Sequence, residues 1–144
     1  MTLSTKQRPV DFTIDDQVAA AIHERLIKGK LPCAQAFVIA RELEIAPLVV
    51  GQHADALEIH LTRCQLGLFG YPGGQKGWEL TDLAARSAPE GLKTALRVAV
   101  DEDGHLACAR LWEIAAQFEV PKMQVGYLAD RMKIKITPCQ LGAF

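Results

Sequence analysis

The sequence predicts a mainly α-helical chain with small β-hairpins, made of two tandem copies of one unit related by a 75-residue offset. Three observations carry this prediction. Sliding the 144-residue chain along itself by 75 places aligns Gly29–Phe69 with Gly104–Phe144 without a gap, and 18 of those 41 positions are identical. Within each copy, apolar residues return at the three- and four-residue spacing of amphipathic helices. Between the copies, Phe69, Tyr71 and Trp78 flank the turn sequence Pro72-Gly73-Gly74-Gln75-Lys76-Gly77, the pattern of a short hairpin.

The first helix of copy one opens at Thr13, a good N-cap, with Asp15 and Asp16 where a helix N-terminus favours negative charge. Val18, Ile22 and Leu26 mark its inner face, and Gly29 is expected to cap its C-terminus. Its counterpart in copy two begins at Ser87-Ala88-Pro89-Glu90, a capping-box spacing. That helix runs to about Val100, where Asp101-Glu102-Asp103-Gly104 stops it.

A short Gly-x-Leu stretch then leads into a second helix, from about Cys33 to Leu43 and from Cys108 to Phe118. Phe37, Ala40 and Leu43 form its expected inward face, repeated by Trp112, Ala115 and Phe118. A tight turn at Glu44-Ile45-Ala46-Pro47 opens a third helix with Val50, Ala54, Leu57 and Leu61 inside, matched by Val125, Ala129, Met132 and Ile136. Pro47 and Pro121 suit first-turn positions, where a missing N–H costs little. The apolar spacing continues to Cys64 and carries this helix to about residue 62. Ile134-Lys135-Ile136-Thr137-Pro138 reads equally well as a β-run, and Pro138 opposes a straight helix.

Thr81 to Arg86 forms a helical connection between the copies. The expected organisation is a flexible tail over 1–12, repeat one over 13–80, a connector over 81–87 and repeat two over 88–144. Repeat two has no counterpart of Gly70–Leu80.

Composition excludes several classes. A chain that is 49% hydrophobic and 23% charged is too apolar to be disordered, and four Cys do not make a disulfide scaffold. Sixteen basic against 17 acidic residues give a net charge of −1, so no general basic field is available for nucleic acid. No apolar run approaches the roughly 20 residues that span a bilayer. The polar Met1–Phe12 stretch has no signal core, so a cytoplasmic, reducing setting without a membrane partner is expected.

The order helix, short strand, helix, tight turn, helix, Gly-rich hairpin resembles the winged helix-turn-helix superfamily. The stretch Ile39-Ala40-x-x-Leu43-x-Ile45-x-x-x-x-Val50-x-x-x-Ala54-x-x-Leu57 is similar to its two central helices, and Ile114 through Met132 repeats it. The resemblance implies a non-enzymatic, DNA-binding regulator of transcription whose third helix enters the major groove of double-stranded DNA. In copy one the exposed candidates on that helix are Gln52, His53, Asp55, Ala56, Glu58 and His60, an acidic set ill-suited to a polyanion. Copy two offers Lys122, Gln124, Tyr127, Arg131, Lys133 and Lys135, with Gln75 and Lys76 at the tip of the single wing. Winged-helix domains also serve as protein-interaction adaptors, which the acidic helix of copy one and the wingless copy two suit. The duplication allows a pseudo-two-fold unit within one chain or a homodimer.

Cys33/Cys108 and Cys64/Cys139 are matched pairs, and His60 and His105 stand near two of them, so a metal- or redox-responsive regulator is a third reading. The spacing opposes it: no Cys-x-x-Cys occurs, and His60 aligns with Lys135 and His105 with Lys30. Small buried thiols packing between helices are expected instead, with no cofactor. Thr-x-Cys-Gln-Leu-Gly-x-Phe (62–69 and 137–144) is the most literal repeat. Gly67 and Gly142 are expected at positive φ, and Leu66, Phe69, Leu141 and Phe144 are expected to close the core. Packing alone gives no reason for Gln65 and Gln140. The Gly70–Gly77 stretch lacks the order of a phosphate loop, and Asp101–Gly104 lacks the ligands of a calcium loop, so no enzymatic motif is present.

Overall fold

The computed structural model describes residues 12–144; of the tail expected over 1–12, residues 1–11 lie outside the described residues. The chain is mainly helical with a few two-residue strands. Among the described residues, no helix is long and apolar enough to cross a membrane. Two compact units divide the chain: one takes it up to Cys64 together with Gln140–Phe144, the other takes Gln65–Cys139. The boundary falls after Cys64, and the end of copy two belongs to the first unit.

In the first unit, α1 spans Asp16–Glu24. Asp15 rather than Thr13 caps it, its Oδ1 accepting from the N–H groups of Gln17 at 2.8 Å and Val18 at 3.2 Å. The helix ends well before Gly29. Lys28 (φ 52°) and Gly29 (φ 78°) instead form the centre of a tight turn closed by reciprocal backbone bonds between Ile27 and Lys30. Two successive positive φ values are the mark of a type I′ turn, so Gly29 serves the turn and not the helix cap. The turn delivers β1 (Leu31–Pro32), followed by α2 (Cys33–Leu43), α3 (Pro47–Ala56) and β2 (Leu61–Thr62). β1 and β2 pair in parallel with Leu31 opposite Leu61.

The buried face of α2 is Cys33, Ala36, Ile39 and Ala40, so Phe37 and Leu43, expected inside, lie half-buried at its margin. The small Ala36 and Ala40 let neighbouring helices approach closely, which Phe37 could not do.

α3 stops at Ala56, short of residue 62, for a reason that recurs. Glu58 (φ 57°) takes a left-handed conformation, with its N–H bonded to Asp55 O and the Ile59 N–H bonded back to Ala54 O at 2.8 Å. This pair of bonds is a Schellman motif, and it satisfies the carbonyls that a helix end leaves open. The same pair closes α2 at Glu44 and recurs at Glu119 and Lys133, so the stops repeat at the 75-residue offset.

The second unit contains α4 (Leu92–Ala99), β3 (His105–Leu106), α5 (Cys108–Gln117), α6 (Lys122–Arg131) and β4 (Lys135–Ile136). α4 starts from Gly91 at φ 86°, and the capping box expected at Ser87–Glu90 does not form. β3 and β4 pair in parallel with Leu106 opposite Ile136, so of the β-run alternative over 134–138 only Lys135–Ile136 is strand. The hairpin expected over Phe69–Leu80 is absent among the described residues. Its place is taken by 3-10 turns at Pro72–Gly74 and Gly77–Leu80, with a third at Leu83–Ala85 in the connector. A two-stranded ribbon would leave Trp78 half in water, whereas here Trp78 is 5% exposed.

Each unit holds a glycine of its third helix against a backbone carbonyl. In the first, a Cβ on Gly51 of α3 would collide with the backbone carbonyl of Leu141. In the second, a Cβ on Gly126 of α6 would collide with the carbonyl of Leu66. Leu141 and Leu66 are each 1% exposed. The Gln-Leu-Gly segment of each copy therefore packs with the third helix of the other.

Candidate functional site

The second unit carries an open groove of about 600 Å³, lined by Lys76, Trp78, Glu79, Thr81, Ala84, Tyr127, Asp130 and Arg131. One wall is the 3-10 segment after Lys76, the other the middle and end of α6. Glycine brings them together. A Cβ on Gly77 would stand 2.7 Å from Met123 Cε and 2.8 Å from Tyr71 Cζ, and one on Gly67 would stand 2.9 Å from Met123 Cγ and 2.8 Å from Trp78 Cε3. Met123 is thus clasped by the glycines, and Gly77 N–H donates to Gly67 O at 2.7 Å to close the loop.

Trp78 and Tyr127 meet edge to face, with ring centroids 5.7 Å apart and planes at 65°. That geometry suits the aromatic quadrupole and fixes both rings as a wall of the groove. Glu79 accepts from the Lys76 backbone N–H at 2.9 Å, while Lys76 Nζ donates to Leu68 O at 3.0 Å. The Thr81 hydroxyl donates to Trp78 O and accepts from Leu83 N–H, both at 3.2 Å. Glu79, Asp130 and Arg131 are exposed along the groove. Two cations and two carboxylates line it, so its charges balance.

The groove brings together Lys76, Tyr127 and Arg131 of the residues expected to contact DNA, but not the others. Gln75 is exposed beside Lys76. Lys133 and Lys135 are exposed beyond the end of α6. Lys122 lies with its Nζ 4.4 Å from the Trp112 ring centroid, a cation–π contact. Gln124 is 4% exposed, and its Nε2 donates to Ser87 O at 3.4 Å, which overturns its expected place on an exposed face. In copy one His53, also expected outside, is 3% exposed. Its Nε2 accepts from Asp15 N–H at 2.9 Å, and its Nδ1 stands 2.8 Å from Val49 O. These contacts assign the proton to Nδ1. Phe12 meets the same ring edge-on at 4.9 Å.

Cys33, Cys64 and Cys108 are buried and Cys139 is half-buried, none of them in a disulfide. His60 is exposed and His105 half-buried. Among the described residues, no three or more His, Cys, Asp or Glu side chains group so as to hold a metal ion. Asp101, in the turn before β3, has its carboxyl held below the usual carboxylate range. The first cause is the hydrogen bond from the His105 N–H, with a further one from Asp103 N–H.

Sequence reasoning missed Trp78, Glu79, Thr81 and Asp130. Trp78 reads as a hairpin residue in sequence, and Asp130 as a generic helix-surface acid. Comparisons of the chain with protein-family models, with curated proteins and with solved structures found no match. The likeness to winged helix-turn-helix domains therefore rests on apolar spacing.

Proposed function

We propose that the chain is a non-enzymatic binding protein whose second unit takes a segment of a protein partner in the groove between α6 and the Lys76–Ala84 stretch. The observation that carries this reading is the charge balance over an aromatic wall: Lys76 and Arg131 against Glu79 and Asp130, around Trp78 and Tyr127. A polyanion gains no net attraction there, whereas a peptide with an apolar residue flanked by charges of both signs finds partners for each. The part of α6 that would read base edges is also engaged, with Met123 clasped by glycines, Gln124 buried and Tyr127 against Trp78.

A second reading, a DNA-binding regulator of transcription, is favoured by the exposed Arg131, Lys133 and Lys135. Titration against random duplex DNA at rising salt separates the two. DNA binding predicts affinity that falls steeply with salt and a slope lowered by about one per cation removed, as in Lys133→Ala or Lys135→Ala. The protein-partner reading predicts no binding even at low salt. It further predicts selection of peptides from a random library that bind the unmodified chain and not the Tyr127→Ala variant. Failure to select any such peptide overturns it.

A further inference from the structure

We infer that the seat around Gly51 also takes residues 140–144 from a second copy of this chain, so that the chain exchanges this segment between copies. The first unit is not built from continuous chain. Its core is completed by Leu141, which is 1% exposed, and by Ala143, at 6%. The segment approaches α3 so closely that the Leu141 carbonyl takes the space of a Gly51 side chain.

The second unit contains the same recognition. There Leu66 meets Gly126 as Leu141 meets Gly51. Both segments read Cys-Gln-Leu-Gly-x-Phe, and both seats read Val-Gly-x-x-Ala-Asp, at Val50–Asp55 and Val125–Asp130. One pairing rule thus operates twice, each time between a segment and a helix distant in sequence. A seat defined by so short a segment does not depend on which chain supplies it. Exchange between two copies creates no new interface, because every contact made in trans already exists in cis. What opposes it is the tether, which holds the chain's own segment at an effective concentration on the order of mM. The exchange therefore rises with protein concentration.

The test uses the full chain with Leu141→Ala, which weakens its own segment, and a synthetic peptide of residues 137–144. Amide resonances of Val50–Ala54 are expected to shift saturably on adding the peptide. Apparent affinity should be at least about tenfold higher than for the unmodified chain, whose own segment competes. If Leu141→Ala does not fold, Leu141→Val replaces it. In sedimentation, the unmodified chain is expected to form dimers as it approaches about 1 mM, the effective concentration that the tether sets. Absence of binding, shifts confined to residues outside α3, or an unmodified chain that stays monomeric would each overturn the inference.

Discussion

The backbone carbonyl of Leu141 occupies the position that a Cβ on Gly51 would take, although one residue lies in α3 and the other near residue 144. The obstacle is main chain, so no rotamer change can relieve it. In an open helix interior, Gly→Ala stabilises by about 1 kcal/mol. Here Gly51→Ala is expected to destabilise by about 2–4 kcal/mol, since overpacking against fixed atoms outweighs the propensity gain. Gly126→Ala, facing the Leu66 carbonyl, should behave alike. Denaturant unfolding measures both, and a stabilised variant would show that the contact is not as described.

The four left-handed helix stops lead to changes of the opposite sign. Glu44, Glu58, Glu119 and Lys133 have φ between 54° and 61° in conformations that glycine adopts without steric cost. An L-residue there loses roughly 1–2 kcal/mol to the clash of Cβ with the following carbonyl. Glycine also makes the unfolded chain more disordered, which offsets about 0.4–1 kcal/mol of that. A net gain of about 0.5–1 kcal/mol per substitution is expected, read as a raised unfolding midpoint for Glu44→Gly or Glu119→Gly. Lys133→Gly is the sharper case. It should stabilise while removing one of the cations that the DNA reading requires.

Those stops also explain what was legible in the sequence. The second helices were readable almost to the residue, because their apolar spacing is long and the turns before Pro47 and Pro121 end it. The end of α3 was not: Val50, Ala54, Leu57 and Leu61 keep a helical period across Glu58, and nothing about glutamate marks a left-handed residue. Parallel pairing of Leu31 with Leu61 hid behind the same period. At the groove, Lys76, Tyr127 and Arg131 stand out in sequence because polar residues on a helix face or turn tip are conspicuous. Gln124 and His53 were misplaced for the same reason, since a buried polar group satisfied by backbone looks like a surface residue in sequence. The crossed seats were invisible because identical segments and identical seats fit either way round.

His53 joins α3 to the start of α1, through Asp15 N–H and Val49 O. The equivalent position in copy two is Leu128, also buried, so leucine fits such a site by volume. Yet His53→Leu leaves the Asp15 N–H without its acceptor. A loss of about 0.5–1.5 kcal/mol is expected, the net worth of one hydrogen bond at a part-buried site. Amide exchange should localise the damage: Asp15 and its neighbours should exchange faster, with α2 little changed. A uniform loss of protection would mean that the histidine acts by packing alone.

Asp101 gives the pH dependence. Its carboxylate accepts from the N–H groups of Asp103 at 2.9 Å and His105 at 2.8 Å, and these bonds favour the charged form. Its pKa is accordingly lower in the folded chain than in the unfolded one. Such a group contributes stability that is fully present above the ordinary carboxylate pKa of about 4 and disappears as pH falls through the lower folded value. Asp101→Ala should therefore be less stable than the unmodified chain at pH 7, with the gap closing below about pH 4. Paired unfolding curves at pH 7, 4 and 2.5 measure it. A gap that stays constant across that range would mean that the aspartate shapes the turn by its geometry and not by its charge.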